Sequence, residues 1–295
     1  MVRFFKSVIA LAFIWLSVFN AEAQILYKVE KQGQDKPSYL LGTHHLAPLS
    51  AVDSIRQLPD IFRSIDKLYG EIDMRNMTDP ANMMAMQKMI VAPADSTLDV
   101  LMSPAQMDSL RNVWDKYSGG AIPLDLMKMM KPNLISSQLA VFMSTKNLPS
   151  FNAMENIDLT MQNRAIAAGK EVKGLETMEY QIDLLYGSPI SKQIQTLLET
   201  IRSADEDSSK AVELTDAYMA HDIDRLLELM LQSENKDPET AERLIFARNE
   251  NWVKELTEIL PESSVLVVVG AGHLPGERGL INGLEKEGYI VTPIE

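Results

Sequence analysis

The chain has 295 residues, a formal net charge of −13, four histidines and no cysteine. So acidic a surface repels phosphate backbones and anionic lipid, which excludes nucleic acid and anionic membrane as main partners. The absence of cysteine rules out a disulfide or a lipid-modified N-terminal cysteine, and the length suits one large domain with a substantial core.

Residues 1–23 have the grammar of a signal peptide: Arg3 and Lys6, an apolar run over 8–19, then Ala21-Glu22-Ala23 as a small-residue cleavage site. The run is shorter than the ~20 residues a spanning helix needs, which disfavours an uncleaved anchor. The expectation is a mature domain over 24–295 that begins at Gln24, is periplasmic or secreted, and keeps no stable membrane span.

Residues 25–30 alternate like a half-exposed strand, 31–37 hold turn formers, and 38–41 return as the second arm of a hairpin. That arm stops at Gly42-Thr43-His44-His45. A helical pattern follows through Val52, Ile55, Leu58, Ile61, Phe62 and Ile65, and then a short strand over 67–73. Within that strand Glu71 stands where a core residue is expected. Strand alternation puts Glu71 and Asp73 on one face, either at a site or as a solvated pair at a sheet edge.

From Met74 to about Leu260 the sequence reads as mostly helical, with boundaries at Asp79-Pro80, Ser103-Pro104, Gly119-Gly120 with Pro123, Pro132 and Asp237-Pro238. Met83, Met84, Met86 and Met89 fall in one helix and Met127, Met129 and Met130 in another. No histidine or cysteine accompanies them, so flexible apolar packing is favoured over copper binding. A helix over 156–168, ended by Gly169, leads into a short strand over 172–176 that finishes in Glu176, the succession of an α/β unit. Residues 203–210, rich in Ser, Asp and Glu, read as an exposed loop, and 235–238 as the next. His221, beside Asp222, reads as a surface residue at a helix start. Arg248 and Asn249 either decorate a helix or, for Arg248, anchor a substrate carboxylate bidentately.

Residues 265–269 are apolar without alternation, so both faces of this strand are expected to be covered, as in the middle of a sheet. The run stops at Gly270-Ala271-Gly272-His273, whose glycines allow a tight turn and close approach to the backbone. Leu280, Ile281 and Leu284 then share a helical face, Gly288 ends that helix, and 289–291 resumes a strand. The unit is long enough for a right-handed crossover. His273 thus ends a strand, where open α/β sheets place ligands.

Three of the four histidines lie in the two Gly-x-x-His elements. Two imidazoles and a carboxylate brought from separate strand ends leave open positions on a divalent metal, which acidifies water and polarises a carbonyl. Each residue also has a structural use. His45 can cap the following helix, Glu176 can be an N-cap or first-turn acid of the next helix, and His44 points to the opposite face if the strand runs on.

Taken in order, Tyr39-Leu40-Leu41-Gly42-Thr43-His44-His45, Tyr69-Gly70-Glu71-Ile72-Asp73, Gly174-Leu175-Glu176-Thr177-Met178-Glu179-Tyr180-Gln181, Arg248-Asn249 and Val268-Val269-Gly270-Ala271-Gly272-His273-Leu274-Pro275-Gly276 resemble the TraB/GumN family over nearly all of the mature chain. That family includes the Tiki metalloproteases and is similar in fold to the erythromycin-esterase (EreA) and ChaN-like groups. The resemblance implies a divalent metal, manganese, cobalt or zinc, held by His45, His273 and Glu71, which also form the catalytic set. It implies supporting, substrate-binding roles for Glu176 and Arg248. Tiki enzymes carry a membrane anchor and act on animal signalling proteins, so their substrate is not transferred. The expected fold is α/β, a central mixed β-sheet flanked by helices with a large helical insertion. The expected function is an exported metal-dependent hydrolase acting on a peptide or protein. The alternative is a peptide- or haem-sequestering protein of the cell envelope without turnover.

Overall fold

A computed structural model describes residues 24–294 except 147, 149–151, 153–154 and 235–237. The expected leader and most of the expected 235–238 loop lie outside the described residues. Six strands form one mixed sheet: β1 (Leu26–Glu30), β2 (Ser38–Thr43), β3 (Lys67–Gly70), β4 (Glu171–Gly174), β5 (Val265–Gly270) and β6 (Ile290–Pro293), in the order β4-β3-β5-β2-β1-β6. β4, β3, β5 and β2 are mutually parallel, and β1 pairs antiparallel with both β2 and β6. Residues 265–269 are buried without exception, as the unbroken apolar run requires of a strand enclosed on both faces.

Among the described residues, the α-helices of seven residues or more, in chain order, are α1 (Leu58–Ser64), α2 (Pro80–Ile90), α3 (Pro104–Ser118), α4 (Pro132–Lys146), α5 (Ile157–Ala167), α6 (Met178–Tyr186), α7 (Ile190–Met219), α8 (Ile223–Glu234), α9 (Ala247–Ile259) and α10 (Leu280–Lys286). Prolines open α2, α3 and α4 as expected. Asp79 caps α2, and Ser103 with Gln106 forms a capping box on α3. Two apolar cores result. One surrounds the sheet, and the other, built on Leu98, Leu110, Trp114, Ile135, Leu139 and Leu197, belongs to the helical insertion. α7 joins them, because Leu197 and Ala204 lie in the second core and Ala217 and Tyr218 in the first.

Several local expectations change. Residues 203–210 are not a loop but the middle of α7. There Ala204 and Ser208 are buried, and Ser208 Oγ donates to the Met143 carbonyl at 2.9 Å, so tertiary packing overrides a loop-like composition. The helical pattern over 52–65 is two short helices, Ser50–Asp53 and α1, because Pro59 suits a first turn and not a helix interior. Met127, Met129 and Met130 lie past a short 3-10 helix (Leu124–Leu126) rather than in an α-helix, and Met130 bridges to Val91. The final strand–helix–strand unit forms, but β6 reaches the sheet edge beside β1, with β2 and β1 between it and β5. Among the described residues, no helix is long and apolar enough to cross a membrane.

Candidate active site

Because β4, β3, β5 and β2 are neighbours and parallel, their carboxyl ends share one edge, and each is followed within a few residues by a polar group. His45 follows β2, Glu71 follows β3, Glu176 follows β4 and His273 follows β5. The β3/β4 pairing continues past both strands, since Leu175 N–H donates to Gly70 O and Glu176 N–H to Glu71 O, each at 2.9 Å. The two carboxylates are thereby set side by side. β3 ends at Gly70, where a β-carbon would lie 2.6 Å from Gln162 Nε2, so alternation does not carry through to Asp73. Asp73 instead pairs with Arg75 and caps the next 3-10 helix, away from Glu71.

Glu71 and Glu176 converge on Arg248, which α9 supplies. Arg248 Nη2 donates to Glu71 Oε2 at 2.6 Å and to Glu176 Oε1 at 2.7 Å, and Nε donates to Glu176 Oε2 at 3.1 Å. Its Nη1 donates to Leu244 O at 3.0 Å and lies 3.2 Å from His273 Nε2. Gln181 bridges both carboxylates from the other side, at 3.0 and 3.1 Å, and Gly270 N–H donates to Glu71 Oε1 at 2.9 Å. Glu176 is therefore part of this cluster, while Thr177 takes the N-cap of α6. Burial opposes ionisation of Glu71, but the charge that His273 gains in acid, the Arg248 guanidinium and the Gly270 N–H outweigh it and hold the carboxyl at about 2. Glu176 is shifted the other way, upward, chiefly by burial. The cluster thus sets two carboxylates against one guanidinium.

His273 is 4% exposed, and its Nδ1 lies 2.6 Å from Asn249 Oδ1, while Asn249 Nδ2 donates to the carbonyls of His273 and Arg278. That network assigns the proton to Nδ1 and leaves the Nε2 lone pair facing Arg248 and Glu71. Burial lowers the His273 pKa to about 4, so the ring is neutral at pH 7. His45 contrasts with it. Its side chain is 63% exposed and does not cap a helix; its Nδ1 lies 2.9 Å from Asp158 Oδ2, and Asp158 Oδ1 also accepts from Thr43 Oγ1. That hydrogen bond outweighs burial, which lowers the pKa, and raises His45 to about 9. His44 turns to α7, 3.1 Å from Thr215 Oγ1 and packed against Tyr218, and burial lowers its pKa to about 4. His221 stays outside the cluster, in a left-handed conformation just before α8.

Asp158, Asn249 and Gln181 are the residues that sequence reasoning did not place in the site. Asp158 is separated from His45 by 113 positions and carries no local signal. Asn249 adjoins Arg248, which is a signal of position though not of role.

A metal fits this site in donor type. His45 and His273 each have Nδ1 paired with an oxygen acceptor, which leaves Nε2 as the ligand atom, the outer-shell arrangement of metal-binding imidazoles. Glu71 Oε1 is 4.0 Å from His273 Nε2, close to the span of two ~2 Å ligand bonds. Among the described residues, however, no three His, Asp or Glu side chains come together at ligand spacing. Arg248 holds the contact with His273 Nε2.

The model of the TraB/PrgY/gumN family matches residues 25–293. The chain is 22% identical to Metalloprotease TIKI1 of Danio rerio over 88% of its length and 61% of the relative. It is 25% identical to Metalloprotease TIKI1 of Xenopus tropicalis, covering 88% and 59% of the two chains, and 24% identical to Metalloprotease TIKI1 of Homo sapiens, covering 88% and 60%. It thus spans about three fifths of the length of these relatives. No solved structure matches.

Proposed function

From the premise that this chain belongs to the TraB/PrgY/gumN family, we propose that it is an exported metal-dependent hydrolase that cleaves peptide bonds. His45, His273 and Glu71 would hold the metal. The relatives named as metalloproteases support the reaction class, and the hydrogen bonds that fix both Nδ1 atoms carry the assignment of residues. A divalent cation bound there acidifies water and polarises the scissile carbonyl.

The chain's own groups divide the remaining work. Glu71, held ionised at about 2, is a good anionic ligand and a poor base. Glu176, shifted upward chiefly by burial, does not line the cavity and exchanges no proton with substrate. Arg248 lines the cavity, where substrate reaches it, and locks both carboxylates in place, so Glu176 acts through it. His45 must give up a proton to become a ligand, which makes metal uptake fall with acidity. Asn249 fixes the His273 tautomer.

A second reading, a protein that binds a peptide or haem without turnover, is favoured by one observation: Arg248 already occupies His273 Nε2 and both carboxylates. Elemental analysis of the purified protein, followed by cleavage of a peptide mixture with and without added manganese, cobalt or zinc, separates the two. The hydrolase reading predicts bound metal and metal-dependent products. Metal-free protein that yields no product with any of the three would leave the binding reading. Export is tested separately, by N-terminal sequencing that finds Gln24.

A further inference from the structure

The carboxyl edge opens onto a cavity of ≈ 470 Å³, within the size range of small-ligand sites. Its lining is of two kinds. His45, Glu71, Arg248 and His273 supply its polar lining; the aliphatic lining comes from Leu184 of α6, Leu214 of α7, Met230 of α8, and Leu244 and Ile245 of the π-helical turn Glu242–Phe246 that precedes α9. Hydrolysis by itself uses only the polar lining. Aliphatic groups that face a wet cavity gain free energy when an apolar group displaces the water.

Two details tie the aliphatic lining to the polar one. A β-carbon on Gly272 would lie 2.3 Å from Met230 Sδ, so this glycine of the second Gly-x-x-His element admits a thioether to the cavity floor beside His273. The π-helical turn stands directly before Arg248, and Leu244 both faces the cavity and accepts from Arg248 Nη1 through its carbonyl. Such turns occur often at functional sites. Across Glu71 lies a second cavity of only ≈ 150 Å³, and His45, Glu71 and Gln181 line both. Glu71 thus stands where a large apolar space and a small mixed one meet.

We propose that the larger cavity is a specificity subsite for a bulky apolar side chain, Leu, Ile, Met or Phe, of an extended peptide. The residue across the cut bond lies in the smaller cavity and is restricted to a small side chain. This rests on the hydrolase reading for the position of the bond, but the apolar subsite can be tested without turnover.

Peptides varied one position at a time are incubated with the full-length wild-type protein and manganese, and products are quantified by mass spectrometry. The expected result is kcat/KM at least about tenfold higher for Leu or Phe than for Gly or Asp at one fixed position, the discrimination that one or two methylene groups supply. Met230→Ala, which enlarges the cavity, should move the preference toward Phe and Trp; Ile245→Trp, which fills it, should move it toward Ala. In a parallel arm, protein labelled with 13C at the methionine methyls is titrated with N-acetyl-leucine amide and with N-acetyl-aspartate amide. The Met230 methyl, assigned by its loss in Met230→Ala, should shift with the first only. Cleavage with no side-chain preference would overturn the subsite and leave the hydrolase standing. No cleavage of any peptide, with a selective Met230 shift, would overturn the hydrolase and sustain the apolar subsite. A Met230 methyl that ignores both amides, or answers both equally, would overturn the subsite whatever the turnover.

Discussion

Replacing Arg248 by Met keeps an unbranched chain at the position and removes the guanidinium, with its charge, its hydrogen bonds and its stacking 4.5 Å from the centre of the Trp252 ring. The side chains involved are 7%, 14% and 6% exposed for Arg248, Glu71 and Glu176, so solvent screens little of the interaction. The drop in the Glu71 pKa from 4.5 to about 2, net of burial, corresponds to about 3 kcal/mol, an upper bound at pH 7, where His273 is neutral and only Arg248 and the Gly270 N–H remain to hold the carboxylate. Breaking a buried pair from one side costs about 3–5 kcal/mol, so a loss of about 3–4 kcal/mol at pH 7 is expected for Arg248→Met. The pH dependence has a definite sign. A carboxyl whose pKa is depressed by folding stabilises above its unfolded value of 4.5, and that contribution is lost as pH falls toward 2. In the variant the carboxyls, still buried but unpaired, take up protons at higher pH, so the gap between wild type and variant must narrow between pH 7 and pH 4. Urea unfolding followed by circular dichroism at the two pH values measures it. Adding Glu71→Gln and Glu176→Gln to the variant should recover part of the loss at pH 7. A loss below about 1 kcal/mol at pH 7, or an equal loss at pH 4, would refute the electrostatic reasoning.

Asp158→Asn should let the His45 pKa fall from about 9 toward its ordinary 6.5, read from the imidazole carbon-bound proton by NMR; an unchanged titration would dismiss the pairing. Because His45 is raised by folding, its contribution is complete below about pH 6.5 and is lost as pH rises through about 9, a window that the substitution should abolish. Gly42→Ala should cost about 1–3 kcal/mol, because the new β-carbon would lie 2.9 Å from the Ala271 backbone. Gly272→Ala meets only the flexible Met230 thioether and should cost less; the reverse order in urea titrations would show that the close approach of β2 to residue 271 is not rigid.

The strand ends were legible because they combine two local signals, an apolar run and the glycines that stop it. Parallel pairing then turns four distant termini into neighbours, which is how His45, Glu71, Glu176 and His273 come to one edge. What surrounds them was not legible. Asp158 looks like any polar residue in the first turn of a helix, and only the packing of α5 on β3 and β4 brings it to His45. The composition of 203–210 pointed to a loop because Ser and Asp compete locally with helical bonding. Burial of Ala204 and Ser208 and the hydrogen bond to the Met143 carbonyl reverse that preference. Asp73 was grouped with Glu71 by alternation, which fails because the strand ends at Gly70. The place of β6 was hidden for a topological reason: the sequence shows a strand, a helix and a strand, but not the hairpin that stands between the two strands in the sheet.

The central claim is that the Nε2-bearing edge formed by His273 and Glu71 performs hydrolysis. Its most direct test is product formation per folded molecule, with wild type, His273→Ala and Glu71→Gln compared at one fixed concentration of added metal on a peptide that the wild type cleaves. The account predicts that His273→Ala loses both bound metal and turnover while circular dichroism shows the fold retained, and that Glu71→Gln, which removes an anionic ligand, loses metal together with activity. Equal rates in wild type and His273→Ala would contradict the account and return the two Gly-x-x-His elements to a structural role.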